Sequence, residues 1–332
     1  MILEQALSRR ASFFERMNSE KTNCYRLFHG VAEGAPGLTI DRYGSLVLVQ
    51  TFRDALAPEE ITRWENDLRG RLPFEFDFAY NHRGKSAKEP FAKWHEPTAQ
   101  ALTEREGIEF ENRYFIRARH EGLDPWLYLD LRAGRRFIRN EAEGKTLLNL
   151  FSYTCSVGLT AARAGAKEVW NVDFAASNLE IGRRNADLNH VSPARFLTLQ
   201  EDCLPTMRQL AGLPAGGRRG KVKPPKKLDA RTFDFVVLDP PAWARGPFGA
   251  IDVEGDYASL FKPAVLIAKP RGGRILATNH VASVDLETWI DQLRRCANKA
   301  GRPLRSVEIL PPEEDFPSFD GKPPLKIAVC EV

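Results

Sequence analysis

Long apolar runs are missing from this sequence of 332 residues, in which no stretch of eighteen or more consecutive apolar residues occurs. A membrane-spanning helix needs about 20 such residues, so none is expected. The first residues also lack an apolar core followed by a small-residue cleavage site, so no secretory signal is expected. We therefore predict a cytoplasmic protein without a membrane partner.

Cysteines are few and follow no metal-binding pattern. The five cysteines, at positions 24, 155, 203, 296 and 330, are scattered along the chain. Because no Cys-x-x-Cys or paired Cys/His spacing occurs, neither a metal site nor a disulfide framework is expected.

Two glycine-rich phosphate-binding motifs are absent as well. Neither GxGxxG nor GxxxxGK followed by Ser or Thr occurs. These motifs form the loops that usually bind the phosphates of NAD and of ATP. The chain therefore lacks the most common binding element for either ligand.

Positive charge is present, but it is concentrated in one segment. The net charge is only +4, yet residues 216–231 read GGRRGKVKPPKKLDAR, with seven Lys or Arg residues and one Asp. The segment is either a solvated loop or a flap that contacts phosphates, and the sequence leaves both readings open. The phosphate-contacting candidates are Arg218, Arg219, Lys221, Lys223, Lys226 and Lys227.

From about residue 146 the apolar pattern alternates between strands and helices. Strands are predicted at 146–151, 167–173, 194–202, 233–239 and 272–279, and helices near 157–164, 175–189, 256–267 and 284–301. This alternation predicts an α/β fold with a mostly parallel sheet and helices on both faces. Two last strands, near 304–310 and 325–332, have no helix between them and should form an antiparallel hairpin at one edge.

The first third of the chain has a different pattern. A basic helix is predicted at the start, followed by strands around Gly and Pro turns. We therefore predict a smaller β-rich α+β domain over residues 1–110 and an α/β domain over residues 111–332.

Small and acidic residues follow the predicted parallel strands, at the sheet edge where ligands bind. The first strand leads into NLFSYTCSVG, whose small side chains permit close approach of a ligand to the backbone. The next three strands end near Asp173, Asp202 and Asp239. Such carboxylates can bind ribose hydroxyls and an adenine amine, so the set fits an adenosine-containing ligand without phosphates. The alternative is that these acids cap helices.

The fourth strand ends in an unusual group, DPPAW. Pro240 and Pro241 fix the backbone and remove two N–H donors, which leaves carbonyl oxygens available beside Asp239. Trp243 offers a flat surface on which an aromatic base could stack, or else it is a core aromatic. The group is typical of a pocket for a planar, nitrogen-containing substrate.

With these residues in view, the chain resembles the class I S-adenosylmethionine-dependent methyltransferases, and more narrowly the 23S rRNA enzymes that form 5-methylcytosine or 7-methylguanine. The matching segments are NLFSYT, VDFAASNLEIGRRNADLN, DPPAW, DYASLFKPAVLIAKPRGGRILATN, YLDLRAGRR and the N-terminal YRLFHGVAEGAPGLTIDRYGSLVLVQ. The resemblance implies a Rossmann-like sheet, S-adenosylmethionine as cofactor, and ribosomal RNA or an assembling large subunit as partner.

The resemblance also implies roles for individual residues. Cofactor binding is expected of Phe151, Ser152, Tyr153, Thr154, Asp173, Phe174, Asp202, Cys203 and Asp239. The target base is expected to face Asp239, Pro240, Pro241, Trp243 and Asn279. The cofactor or RNA entrance is expected to include Asp130, Arg132 and Arg136. From the charge of the basic segment and the position of His280, rather than from the resemblance, RNA is expected to contact Arg218, Arg219, Lys221 and His280.

The sequence departs from the family pattern at several places. Cys155 stands where the family has glycine after FSYT, and Leu131 stands where Gln or His is common. The basic segment at 213–231 is an insertion, and no PUA-type RNA-binding domain precedes the β-rich domain. RNA affinity must therefore come from other parts of the chain.

The end of the fifth strand bears on which atom is methylated. Methylation at cytosine C5 needs a cysteine nucleophile, which in that branch of the family follows this strand. Here Asn279 and His280 stand in its place, which disfavours C5. The segment TNH instead resembles the Asn-containing strand end of the 7-methylguanine branch, which implies a guanine ring nitrogen such as N7. An exocyclic amine, a side chain of a translation protein and a non-catalytic RNA-binding protein are the alternatives, and His280 could have a structural role.

Overall fold

The structure, a computed structural model, describes residues 2–84, 98–118, 124–215 and 224–332. The chain divides into two compact units. The first comprises Met1–Asp130 and Glu313–Lys322, and the second comprises Leu131–Pro312 and Pro323–Val332. Among the described residues, no helix is long and apolar enough to cross a membrane.

The first unit begins with two helices and continues with strands and short helices. Its helices are α1 (Ile2–Arg9), α2 (Ala11–Ser19), α3 (Gly30–Glu33), α4 (Pro58–Arg71) and α5 (Ala99–Leu102). Its strands are β1 (Cys24–His29), β2 (Leu38–Tyr43), β3 (Leu46–Thr51), β4 (Asp77–His82), β5 (Arg105–Glu109) and β6 (Asn112–Ile116).

A four-stranded sheet in the order β1-β2-β3-β4 forms the centre of the first unit. β1, β2 and β3 pair antiparallel, and β4 pairs parallel to β3 after the connecting helix α4. That helix starts at a proline, and the Glu60 carboxylate accepts the Ala57 N–H at 2.9 Å, which caps its first turn. Apolar residues of α1, α2 and α4 pack with those of the sheet in one core cluster.

The predicted boundary between residues 110 and 111 falls inside a hairpin of the first unit. β5 and β6 pair antiparallel, and the two residues between them are Phe110 (φ 52°) and Glu111 (φ 66°). Tight hairpin turns with two positive φ values normally use Asn or Gly. Since neither residue type is present, the sequence carried no turn signal here, and the boundary was placed twenty residues before the division after Asp130.

The second unit alternates strands and helices as the sequence predicts. Its helices are α6 (Arg132–Glu141), α7 (Ser156–Arg163), α8 (Ala176–Leu188), α9 (Cys203–Leu210), α10 (Ala258–Ile267) and α11 (Leu286–Lys299). Its strands are β7 (Thr146–Leu150), β8 (Glu168–Asp173), β9 (Phe196–Gln200), β10 (Phe235–Leu238), β11 (Trp243–Gly246), β12 (Gly249–Asp252), β13 (Arg274–Asn279), β14 (Ser306–Leu310) and β15 (Lys326–Glu331).

Seven of these strands form one sheet in the order β14-β15-β13-β10-β7-β8-β9. The five from β13 to β9 are parallel, whereas β15 is antiparallel to both β13 and β14. The predicted parallel sheet and antiparallel final hairpin are thus confirmed. The chain runs from β7 outward to β9 and then crosses back to β10, so β7 and β10 flank the point where strand order reverses.

Helix α6, helix α9 and the β11–β12 hairpin of the second unit were not predicted. Helix α9 begins directly after Asp202, whose carboxylate accepts the Leu204 N–H at 2.9 Å as an N-cap. The hairpin of β11 and β12 follows the two prolines and is closed by the Val253 N–H, which donates to the Ala242 carbonyl at 3.0 Å. Helix α9 and the two hairpin strands are short, which is why periodicity did not reveal them.

Candidate active site

The carboxyl ends of the five parallel strands lie along one edge of the large sheet. Following the strand order, this edge presents Asn279 at the end of β13, Asp239 after β10, the segment 151–155 after β7, Asp173 at the end of β8 and Asp202 after β9. The residues predicted to form the site are therefore brought to the same edge by the topology.

The segment 151–155 after β7 has an unusual backbone. Phe151, Tyr153 and Cys155 have φ values of 56°, 49° and 62°, in the left-handed region that side chains other than glycine rarely adopt. Cys155 occupies the position where the resembling family has glycine, and its left-handed conformation gives the physical reason for that glycine. Strained backbone of this kind is commonly found at ligand sites.

Asp173 holds this segment in place through its carboxylate. Oδ2 accepts the Tyr153 N–H at 2.8 Å, and Oδ1 accepts the Ala175 N–H at 2.9 Å. Burial raises the pKa of Asp173, while the two N–H donors and Asn178 act in the opposite direction. The side chain therefore organises the edge and remains a buried acceptor next to it.

Close packing beneath the segment comes from residues that the sequence reasoning missed. A Cβ on Gly182 of α8 would lie 2.4 Å from the Cys155 Sγ, and a Cβ on Gly158 of α7 would lie 2.0 Å from the Asn171 Oδ1. Asn171 in turn accepts from the Asn149 amide at 3.0 Å. A polar residue inside each of two buried strands was the signal that could have identified this network.

Asp202 serves two purposes at the end of β9. Its Oδ1 caps α9, as the helix-capping alternative proposed, and burial raises its pKa. Its Oδ2 lies close to the β11–β12 hairpin, because a Cβ built on Gly246 would be 3.1 Å from that oxygen. The hairpin that follows Pro241 therefore reaches across the edge to the β9 end of the sheet.

Two aromatic side chains on this edge are exposed rather than packed in the core. Phe174, directly after Asp173, is 74% exposed, and Trp243, at the start of β11, is 65% exposed. The alternative that Trp243 is a core aromatic is therefore wrong. Exposed aromatic rings at a ligand edge are suited to stacking on planar groups.

A hydrogen-bonded chain fixes Asp239 at the end of β10. The Thr278 hydroxyl donates to the Asp239 Oδ1, and the Tyr257 hydroxyl donates to the Thr278 carbonyl at 2.8 Å. Tyr257 is itself buried against Trp289, with ring centroids 5.6 Å apart. Neither Thr278 nor Tyr257 was predicted as a site residue.

The residues around Asp239 differ in exposure. Pro240 is buried and Pro241 exposed, while Asn279 on β13 is fully buried and His280 is exposed. The Asn279 Oδ1 accepts the Val281 N–H at 2.9 Å, which turns the chain as it leaves the strand.

All five cysteines are buried. Burial raises the pKa of Cys155 and of Cys330 to about 12, and raises the pKa of Cys203 and Cys296 above the usual value of a thiol. The Cys203 Sγ accepts the Phe151 N–H at 3.3 Å, so its contribution to the edge is to position the segment after β7.

The residues predicted to contact RNA are spread over several environments. Arg132 on α6 has no exposed surface, whereas Arg136 is half-buried. Arg218, Arg219, Lys221 and Lys223 lie outside the described residues. Lys226 and Lys227 are exposed, and Arg231 pairs with Glu168 and lies over the Trp170 ring. Among the described residues, the predicted RNA-contacting basic surface therefore consists of Lys226, Lys227 and Arg136.

The chemistry of the edge fits an adenosyl ligand. Asp173 offers carboxylate oxygens to ribose hydroxyls beside the exposed Phe174 ring, which can lie against an adenine. Ser152 and Thr154 are small, buried side chains on the segment next to it. These features match a nucleoside without phosphates better than a nucleotide, because no glycine-rich helix start follows β7.

Comparison with known proteins agrees with this geometry. A family model described as S-adenosylmethionine-dependent methyltransferase matches residues 110–330. A Ribosomal RNA large subunit methyltransferase of Deinococcus radiodurans is 28% identical over 317 residues, which are 92% of this chain and 71% of that protein. Ribosomal RNA large subunit methyltransferase I of Aeromonas salmonicida is 27% identical over 299 residues, which are 88% of this chain and 70% of that protein. The crystal structure of SMU.776, a methyltransferase complexed with SAH, superposes with a TM-score of 0.80 at 23% identity, covering all of this chain and 80% of that one.

Proposed function

The chain belongs to the S-adenosylmethionine-dependent methyltransferases, and from this premise we propose that it methylates a guanine ring nitrogen of large-subunit (23S) ribosomal RNA. The substrate is either free ribosomal RNA or the RNA of an assembling large subunit. Relatives named as ribosomal RNA large subunit methyltransferases support the RNA class, because they align over about nine-tenths of the chain.

One observation carries the choice of a ring nitrogen: the edge supplies no reactive thiol. Cytosine C5 methylation needs a thiolate that adds to the base. All five cysteines are buried, and burial raises the pKa of four of them. Asn279 and His280 end the strand where a C5 enzyme would carry its cysteine. A guanine N7 has a lone pair and no proton, so it needs neither a nucleophile nor a base from the protein.

The residues of the edge would then form two groups, one that binds the cofactor and one that holds the target base. Bound S-adenosylmethionine would supply an electrophilic sulfonium methyl group. Asp173, Phe174 and Asp202 would hold its adenosyl part, and Phe151–Thr154 would lie at its methionine end. Asp239, the two prolines and Trp243 would hold the target base in line with that methyl group, and orientation accounts for most of the rate.

RNA binding would use positive charge outside the edge. Lys226 and Lys227 are exposed, and Arg136 is half-buried. We propose that the basic segment 213–231, together with His280, contacts RNA phosphates. Phosphate contacts position the RNA without specifying its sequence, so base selection must come from the edge itself.

Nucleoside mass spectrometry of ribosomal RNA from cells with and without the protein tests this function. We expect one methylated guanine, most simply 7-methylguanine, to disappear from large-subunit RNA and to return with the wild-type chain. The Asp239→Ala variant, produced at the same level, should not restore it. Loss of 5-methylcytosine, or unchanged RNA together with a loss of methylation on a ribosomal protein, would overturn the proposal.

A further inference from the structure

The side-chain amide of Asn279 has a buried donor without a partner. Asn279 is 0% exposed, and its Nδ2 has less than 1 Å² of accessible surface and no hydrogen-bond partner. Most buried polar groups in proteins are hydrogen-bonded, so an exception at a ligand edge requires a physical explanation.

The neighbouring backbone decides which end of this amide is unpaired. The Oδ1 accepts the Val281 N–H at 2.9 Å, and exchanging the two ends would place an NH2 group against that N–H. The oxygen is therefore held by the chain, and the group without a partner is the donor. Only a hydrogen-bond acceptor can satisfy it.

The strand register places Asn279, the last residue of β13, at the same level of the sheet edge as the target-base residues. In the sheet register, Leu238 pairs with Ala277 of β13, so Asp239 and Pro240 follow β10 at the level of Thr278 and Asn279. Thr278, the preceding residue, already donates to Asp239. After Asn279, His280, Ala282 and Ser283 are exposed and Val281 is half-buried, so the turn that covers the amide lies at the protein surface.

The chemistry of the bases limits which hydrogen-bond acceptor can pair with the Asn279 NH2 donor. On the edge that carries N7, guanine presents two acceptors, N7 and O6, whereas adenine presents an amine at position 6. Cytosine likewise presents an amine, at N4, beside C5. An NH2 donor next to the reacting atom therefore favours guanine and opposes both other bases.

We propose that Asn279 is a specificity-determining residue whose Nδ2 donates a hydrogen bond to the O6 carbonyl of the target guanine. This inference rests on the proposed function and deepens it. Binding of the base satisfies the unpaired donor, so the amide recognises a carbonyl at position 6 rather than the purine ring in general.

The test uses single-turnover methylation of three RNAs that differ only at the target position. They carry guanine, hypoxanthine or 2,6-diaminopurine, all of which keep N7, while only the first two keep the carbonyl at position 6. The wild-type protein should methylate the first two at similar rates and 2,6-diaminopurine at least about tenfold more slowly. This comparison needs no protein variant.

Asn279→Ser then assigns the preference to the amide. A serine hydroxyl can still accept the Val281 N–H, so the turn is kept while the donor is lost. The rate on guanine should fall about tenfold, and the preference over 2,6-diaminopurine should shrink to about threefold or less. The matched control is Thr206→Val, which also removes a fully buried polar group without a partner but lies on α9, and it should behave as wild type.

Two results contradict the inference in different ways. If guanine is the methylated base but wild type does not discriminate against 2,6-diaminopurine, or Asn279→Ser keeps both rate and preference, then the assignment of Asn279 fails and the proposed function stands. If the methylated base is cytosine or adenine, the proposed function and this inference both fail.

Discussion

The two halves of the ligand edge are prepared in different ways. On the side of β7, β8 and β9, the acidic side chains are engaged by the protein itself: Asp173 accepts two backbone N–H groups and Asp202 caps α9. On the side of β10 and β13, the buried Asn279 amide keeps an unpaired donor. Hydrogen bonds within the protein hold the first half before any ligand binds; the second half is held at Asp239 but retains one unpaired donor for a ligand.

This difference follows from what each half must recognise. The same cofactor binds at every turnover, so the strained segment 151–155 and its close packing against Gly182 can be built into the fold. The proposed target base would arrive on a large RNA and would have to be distinguished from other bases. An unsatisfied buried donor lowers stability by about 1–3 kcal/mol, and a base with the right acceptor offsets that cost.

The largest expected effect comes from breaking the cofactor half at Asp173. Asp173→Ala removes the acceptor for ribose hydroxyls and for the Tyr153 and Ala175 N–H groups. Hydrogen bonds to a charged group are each worth roughly 1.5–3 kcal/mol, so affinity for S-adenosylmethionine should fall at least about tenfold. Calorimetry that shows unchanged affinity would refute the ribose assignment.

Asp173 also gives this half a pH dependence. Burial raises the pKa of Asp173 above the usual value for aspartate, so the carboxylate that we propose binds ribose becomes protonated at a higher pH than an ordinary one. Cofactor affinity should therefore be full above this raised pKa and decline as pH falls through it. In Asp173→Asn the part of the decline due to this residue should disappear, as measured by calorimetry across a pH series.

The next largest effect should appear when the target half is broken at Asp239. Asp239→Ala removes the carboxylate that Thr278 fixes beside the two prolines. Methyl transfer at saturating cofactor should fall more than about tenfold, equivalent to roughly 1.4 kcal/mol in barrier. Thr278→Val, which loosens the carboxylate without removing it, should give a smaller loss in the same single-turnover assay. Equal losses in both variants would mean that Asp239 acts only through its structural contact.

A smaller effect is expected when all five cysteines are replaced by serine or alanine. Because the thiols are buried and four have a raised pKa, none is expected to act as a nucleophile. Stability should decrease, since Cys203, Cys296 and Cys330 belong to the core. Transfer by the folded enzyme should remain within about tenfold of wild type. An RNA–protein adduct trapped through one cysteine would restore cytosine C5 as the target.

The smallest expected effect concerns charge outside the edge. Replacing Lys226 and Lys227 by Gln should flatten the salt dependence of RNA binding, by roughly 0.7–0.9 in the log–log slope for each lost phosphate contact. Affinity for the cofactor should not change. An unchanged slope would show that these two exposed residues are solvated rather than bound to RNA.

Much of the cofactor half could be predicted from sequence because its residues follow strands with clear apolar periodicity. Asp173 ends β8 and Asp202 follows the end of β9, and parallel topology brings strand ends together. Short elements without periodicity escaped, namely α9 and the β11–β12 hairpin. The Phe110–Glu111 turn escaped because two side chains adopt a conformation normally reserved for Asn or Gly.

The target half was harder to predict because its chemistry depends on contacts between distant residues. Asn279 was identified by its position, but only the structure shows that its oxygen is held by Val281 and its nitrogen is unpaired. The hydrogen bonds from Tyr257 to Thr278 and from Thr278 to Asp239 likewise join segments about twenty to forty residues apart. Sequence spacing alone carries no signal for such pairs.

The most direct test of this division measures both halves in the same pair of variants, Asp173→Asn and Asn279→Ser. Calorimetry gives the affinity for S-adenosylhomocysteine, and single-turnover transfer at saturating S-adenosylmethionine gives the rate on the target RNA. We predict that Asp173→Asn loses affinity but keeps most of the saturated rate, whereas Asn279→Ser keeps affinity and loses about tenfold in rate. If both variants lose affinity and rate to the same extent, the two halves are not separate and the account is wrong.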